Sequence, residues 1–343
     1  MQEMLNKHGR LGAIFDRTVM IKSSYESFRK HNFCGYITHC ADTGWGVLDA
    51  NVETSTLVLN KYSSNSEGVY FDIQKLSPEN KQQVLIADIE RCKQINNTKI
   101  KDVYYCQSID FNTLPNSIIG YYFDKHILKL FKYKSLEARN YIARKGNDFV
   151  SFKHPRLFYE ITSNRNFSHF YNGGGFTQFY IINRDVVFWN EEIIRADKQT
   201  NIRNLHLQQK CGVGFGKRGE ILDAHILKNA FFFSAEGLAI PALTRQESLI
   251  CNSFLNSVYS QYVINLYCEQ HKGNGYVNML PMPEFNTNIA DIESLIEQIV
   301  HIKRFWFSLD ETNLEYRGLI AQLDLSFDIS NTFDILQSNL TRD

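Results

Sequence analysis

The chain has 343 residues, 43% of them hydrophobic and 22% charged, and its 37 basic residues are balanced by 37 acidic ones. This is the composition of an ordinary globular protein long enough for two cores, and it offers neither a run of about 18 apolar residues to span a membrane nor a secretory leader. Seven cysteines, an odd number with no CxxC pair, predict reduced thiols in a cytoplasm rather than a disulfide framework or a zinc site.

From the N-terminus, MLNKHGRLGAIF (4–15) reads as a helix end, a turn at Gly9 and a buried parallel strand; YITHCADTGWGVLDANVETSTLVLNK (36–61) reads as strand, polar loop and strand. This alternation predicts the last third of a doubly wound α/β sheet. A basic block follows, with Lys125, Lys129, Lys132, Lys134, Arg139, Arg144 and Lys145 against Glu137 alone. A second block carries Arg195, Lys198, Arg203, Lys210, Lys217 and Arg218 against Asp197. Such local blocks, rather than net charge, are what would meet phosphates, although a solvated charged face is the common reading of them. Within the second block, CGVGFGKRG (211–219) fails as a P-loop because Arg218 follows Lys217, and as a dinucleotide fingerprint because strand-like sequence follows it. It reads as a Gly-rich hairpin. Either its backbone approaches a DNA groove with Lys217 and Arg218 at phosphate or a guanine edge, or it is a plain surface hairpin. Between 254 and 283 an amphipathic helix with Phe254, Leu255, Val258, Tyr262 and Leu266 runs into a turn at Gly273, Asn274 and Gly275 and exits through Pro281 and Pro283. The tail from Glu284 is acidic.

Several of these segments resemble, in order, blocks of adenine-N6 DNA methyltransferases of the type IIG restriction-modification kind and of their PglX-like relatives from BREX phage-exclusion systems. SIDFNTLPNSIIGYYF (108–123) is similar to the segment that leads into the family's recognition domain. FSHFYNGGGFTQFYIINRDVVFWNEE (167–192) resembles its tyrosine-asparagine-triple-glycine block, with Tyr171, Asn172, Gly173, Gly174, Gly175, Phe176, Tyr180, Trp189 and Asn190 in place. FFFSAEGLAI (231–240) resembles a phenylalanine-serine-x-x-glycine strand pair, and 254–283 the family's leucine-asparagine-serine helix, glycine turn and leucine-proline-x-proline exit. HIKRFWFSLDET (301–312) supplies Lys303, Trp306, Ser308, Glu311 and Thr312 of the run after the recognition domain.

The resemblance also marks what is missing. The family binds S-adenosylmethionine at a glycine turn after its first strand and holds the target amino group with an asparagine-proline-proline-aromatic loop after its fourth. This chain has six prolines and no adjacent pair of them. Its first residues correspond to a point just beyond that loop. In related enzymes an aromatic residue stacks on the adenine rotated out of the duplex, an extrusion that costs a few kcal/mol. The matching position here is the aliphatic Leu48, with Trp45 and Asp49 beside it. Trp45 is read either as a replacement π-face or as a half-buried packing aromatic.

The fold class implied is α/β plus α+β. A partial Rossmann-like methyltransferase sheet occupies 1–135, a mostly β target-recognition domain 136–283, and a helical acidic tail 284–343. The function implied is sequence recognition for a site-specific adenine-N6 DNA methyltransferase. The flipped-base pocket would comprise Trp45, Leu48 and Asp49, and the DNA contacts Tyr171, Asn172, Gly173, Gly174, Arg195, Lys198, Arg203, Lys210, Lys217 and Arg218. No catalytic or metal residue is assigned, since the ten histidines show no metal-ligand spacing. The chain alone is expected to bind no cofactor, S-adenosylmethionine belonging to the complete enzyme. The expected partners are double-stranded DNA and a separate polypeptide carrying the N-terminal methyltransferase half, with no membrane. The other reading is a stand-alone, non-enzymatic DNA-binding or decoy protein.

Overall fold

The structure, a computed structural model, describes residues 6, 9–60, 67–94, 100–149, 153–162, 166–174, 177–268, 271–284 and 289–316. Gly175 and Phe176 of the triple-glycine block, and the tail beyond 316 with its acids Asp324, Asp328, Asp334 and Asp343, lie outside the described residues. The chain divides into two compact units, Met1–Ser135 and Leu136–Asp343.

Unit 1 runs β1 (Leu11–Asp16), α1 (Thr18–Ile21), α2 (Glu26–Asn32), β2 (Ile37–Gly44), β3 (Thr54–Leu59), β4 (Glu67–Asp72), α3 (Pro78–Gln94), β5 (Val103–Gln107) and α4 (Lys125–Leu130). The strands form one mixed sheet in the order β1-β3-β2-β4-β5. β2 pairs with β4 in parallel, whereas β3 runs antiparallel to both β1 and β2. The apolar residues Leu85, Ile89 and Cys92 of α3 cover Ala41, Phe71 and Val103 on one face. Elsewhere in the unit Tyr70 stacks on Tyr121 at 5.6 Å and meets Phe111 edge-on at 5.7 Å. The fully buried Arg29 ties α2 to the later chain by donating to the carbonyls of Val19, Lys22, Asn116 and Ser117.

The strand predicted as buried and parallel is neither buried nor paired in parallel. β1 is the sheet's edge, its pairing is antiparallel to β3, and Gly12, Ala13 and Ile14 are exposed. An apolar run without strict alternation fits a two-sided core strand and an edge strand equally well. In LGAIFD only Leu11 and Phe15 are half-buried, and Phe15 packs on Phe33 at 5.6 Å.

Unit 2 runs β6 (Asp148–Phe149), β7 (Pro155–Leu157), β8 (Phe167–Tyr171), β9 (Asp185–Phe188), α5 (Glu191–Ala196), β10 (Thr200–Asn201), β11 (Gly212–Gly216), β12 (His225–Leu227), β13 (Phe231–Phe233), β14 (Gly237–Pro241), α6 (Arg245–Asn256), α7 (Val258–Tyr267), α8 (Asn274–Asn278) and α9 (Ile289–Phe307). These strands form sheets β13-β8-β9-β7, β12-β11-β14 and β10-β6. Trp189 stacks on Phe232 at 4.2 Å over Phe170 and Val187, while Tyr171, Leu227, Phe231, Phe233 and Ala239 make a second cluster.

Two expectations change here. The 231–240 segment is two strands, but they do not pair with each other: β13 joins the four-stranded sheet and β14 the three-stranded one. Ser234 makes the switch, its Oγ accepting from the amides of Glu236 at 3.1 Å and Gly237 at 2.7 Å. The single amphipathic helix is likewise two, α6 and α7, broken at Ser257. That residue takes an extended ψ of 149° and caps α7 by accepting from the Ser260 amide. The break turns Val258 out to 85% exposure, so it does not share a buried face with Phe254 and Leu255. The turn at Gly273 becomes the start of α8.

Candidate nucleic-acid interface

In unit 1 the parallel-running strands β1, β2 and β4 end on the same edge of the sheet, the edge at which α/β sheets place ligands. Asp42, near the end of β2, is 1% exposed. Arg17, just after β1, donates through Nε to both its carboxylate oxygens at 3.0 Å, Ser55 Oγ donates at 3.0 Å and Tyr121 Oη at 3.1 Å. Burial pushes the Asp42 carboxyl above the usual carboxylate range, against the pull of Arg17, Ser55 and Tyr121. Gln74 links Tyr121 to Asp72, at the end of β4.

Above this network sits the loop joining β2 to β3. Its root is fixed by Lys81 of α3, whose buried Nζ donates to the carbonyls of Thr43 and Trp45, each at 2.5 Å. Gly46 has φ +79°, and a Cβ there would lie 2.6 Å from Pro78 Cγ, so the turn takes glycine for both conformation and space. Trp45, Leu48 and Asp49 lie on this one loop and all three are exposed, Trp45 at 52%. Asp42 and Arg17 were not singled out as functional. The legible signal was a carboxylate inside the apolar strand ITHCADTG, where a buried partner is obligatory.

In unit 2 three turns converge. Gly173, after β8, has φ +80°, and a Cβ on it would lie 2.7 Å from the Glu236 carbonyl oxygen in the turn between β13 and β14. The Glu236 carboxylate in turn receives Lys217 Nζ at 2.6 Å and Arg218 Nε at 2.9 Å from the turn after β11. Asn172 is exposed beside Gly173, and Gly174 has open space around it. Thus Asn172, Gly173, Gly174, Lys217 and Arg218 lie together.

Tyr171 does not join them at the surface. It is 3% exposed, with its ring edge-on to buried His225 at 4.5 Å, so it packs the core and presents no face to a groove. Nor does β11 offer its backbone to DNA. It is the buried centre of a three-stranded sheet, and Cβ atoms on Gly212 and Gly214 would sit 2.1 Å from the Ile240 carbonyl oxygen and 2.7 Å from His225 Nε2. The hairpin to β12 exists, but its glycines admit protein neighbours. The other predicted cations lie elsewhere. Arg195 pairs with Glu191 within α5 at 2.7 Å, Arg203 approaches Asp148 at 3.9 Å, Lys198 is exposed ahead of β10, and Lys210 is exposed at the opposite end of β11 from Lys217.

Among the described residues no group of three or more His, Cys, Asp or Glu side chains could hold a metal, and no helix is long and apolar enough to cross a membrane.

No family model matches the chain. It is 24% identical over 306 residues to the adenine-specific methyltransferase PglX of Lacticaseibacillus casei (strain Zhang), an alignment covering 78% of this chain and 24% of that protein. Among solved structures, the type IIL restriction-modification enzyme MmeI in complex with DNA matches with a TM-score of 0.51 at 12% identity, over 92% of this chain and 44% of that one. The type IIG restriction endonuclease BpuSI matches with a TM-score of 0.37 at 14% identity, over 87% and 43%. The chain therefore spans about a quarter of the PglX protein and less than half of either enzyme. In sequence it is similar to the adenine-specific methyltransferase PglX, and in fold it resembles part of a restriction-modification enzyme.

Proposed function

We propose that the chain supplies DNA sequence recognition to a site-specific adenine-N6 DNA methyltransferase of a restriction-modification or phage-defence system. The reading rests chiefly on the match to MmeI, a structure in complex with DNA, which runs along 92% of this chain. Unit 1 corresponds to the strands that follow the catalytic loop. Its parallel strands β1 and β2, with antiparallel β3 between them and helices α1 and α2 in the crossover, suit the trailing part of a methyltransferase sheet. Unit 2 corresponds to the recognition domain, with Lys217, Arg218 and Asn172 at its DNA-facing turn. The loop carrying Trp45, Leu48 and Asp49 stands where the extruded base would arrive.

The glycine turn after the first strand and the asparagine-proline-proline-aromatic loop, by which the resembled family holds S-adenosylmethionine and the target amino group, have no counterpart in this sequence. Cofactor and methyl transfer are therefore assigned to a part of the enzyme outside these residues, in the same polypeptide or a separate one.

Two measurements test the proposal. Duplex affinity of the purified chain should fall with salt at a log-log slope of about −0.9 per phosphate neutralised. Replacing Lys217 and Arg218 by Ala should weaken binding, and by about 1–3 kcal/mol more on the specific site if Arg218 reads a guanine. The chain alone should transfer no tritiated methyl group to genomic DNA. Salt-insensitive binding, or turnover by the chain alone, overturns the assignment.

A further inference from the structure

The segment leading into the glycine turn at 273–275 makes a fourth member of the converging turns of unit 2. His271, two residues ahead of Gly273, faces Arg218 across a single antiparallel bridge. Residues opposed in this way project their side chains from the same face, with Cβ atoms about 4.5–5.5 Å apart. Both side chains are exposed, Arg218 at 66%. An imidazole thus stands beside the guanidinium of the candidate interface. The backbone under the pair is fixed. Lys272 is fully buried, its amide donating to the Lys217 carbonyl at 2.7 Å and its Nζ to the Gly219 carbonyl at 2.5 Å. The buried Asp223 carboxylate accepts from the Gly216 amide at 2.6 Å, and the Lys217 amide donates to the Glu236 carbonyl at 2.9 Å. A rigid root under a tip in solvent is what a reading residue needs. Glycine keeps the approach clear: a Cβ on Gly275 would meet nothing within 4 Å, and one on Gly273 only Tyr276 at 3.9 Å.

The chemistry of the pair says which part of a duplex it suits. A guanidinium offers donors only, whereas a neutral imidazole offers one donor and one acceptor. Phosphate oxygens only accept, so an acceptor gains nothing from them. Base edges in the major groove present both kinds of group. A donor fork next to an acceptor matches guanine O6 and N7 beside an amino group, cytosine N4 or adenine N6.

We propose that His271 is a specificity-determining residue, reading in the major groove the base pair that Arg218 contacts or the one next to it. The proposal rests on the DNA-recognition reading above, and its test separates the two. Selection from a randomised duplex library gives the preference of the full chain. His271→Ala should leave the melting curve and the salt slope unchanged, hold affinity for random duplex within about two-fold, and reduce discrimination at one base-pair position by about ten-fold. His271→Gln, which keeps a donor and an acceptor, should remain selective at that position. Lys217→Ala with Arg218→Ala should instead weaken binding to every duplex. Unchanged preference in His271→Ala overturns the proposal and leaves the DNA reading standing. A shallower salt slope would make His271 a phosphate contact, and a preference lost together with thermal stability would make it a structural residue; either result overturns the proposal as well. No duplex binding by the unsubstituted chain overturns both readings.

Discussion

Each unit holds a carboxylate gripped by arginine, and the two grips differ in what surrounds them. Asp42 is 1% exposed and its Arg17 partner 18%, with Ser55 and Tyr121 completing the shell. Glu236 is 43% exposed and its Arg218 partner 66%. Inside the protein water competes little for these groups, and besides Asp42 Arg17 has only Glu53, at 3.7 Å, so the pair fixes how the ends of β1, β2 and β3 meet. At the surface water and counter-ions compete for the same groups, and the pair contributes little to stability but can be exchanged for another anion. The buried pair holds the sheet ends together; the exposed pair can be exchanged, as the proposed DNA contact requires.

The largest effect tests the buried side. Asp42→Ala leaves Arg17 only the half-buried Glu53 at 3.7 Å, and urea unfolding of unit 1 should register a loss of about 3 kcal/mol, whereas Arg17→Met with Asp42→Leu should recover most of it. Glu236→Gln should shift the unfolding of unit 2 by no more than about 0.5 kcal/mol. Equal losses at the two sites would erase the distinction.

Unit 2 also contains a buried titrating group, which extends the contrast to pH. His225 is 1% exposed over Gly214, and burial pushes its pKa down to about 4. The unfolded chain takes up this proton near its ordinary value of 6.5, and the folded chain only near 4. The stability this neutral imidazole contributes is therefore complete above about pH 6.5 and is lost as pH falls towards 4, a total of about 3 kcal/mol. Chemical unfolding between pH 7 and 4 should show that decline in the native chain and its absence in His225→Phe. An identical pH profile for the two would place the imidazole in contact with water.

What the sequence made legible follows the same division. The strand, loop and strand of 36–61 and the two strands of 231–240 were readable, because glycine and polar residues punctuate apolar runs. Partnership was not. LGAIFD gives no sign that its one neighbour is antiparallel β3, and FFF and GLAI give no sign that they enter different sheets. Pairing is set by side chains distant in sequence, such as Phe170 against Phe232. In the candidate interface the family blocks located the converging turns but assigned Tyr171 the wrong role, since a tyrosine beside glycines looks the same whether its ring faces outward or lies on a buried histidine. The grip of Glu236 on Lys217 and Arg218 was equally hidden: 19 residues separate Lys217 from Glu236, and only the return of the chain through β12 and β13 brings them together.

That grip yields the smallest and most discriminating prediction. A phosphate approaching Lys217 and Arg218 must compete with Glu236 for the same N–H donors and meets the negative charge of its carboxylate. Glu236→Gln removes the charge, keeps the side-chain volume and leaves the backbone amide of Lys217 on the Glu236 carbonyl at 2.9 Å. Both cations then become available, so non-specific duplex affinity should rise a few-fold, on the order of 1 kcal/mol or less, with a steeper salt dependence. Fluorescence anisotropy at several salt concentrations reads both quantities. If affinity and slope stay as they were, the converging turns of unit 2 are not where DNA binds. If affinity falls, Glu236 acts as a brace that aims Arg218, and the exposed pair is then as structural as the buried one.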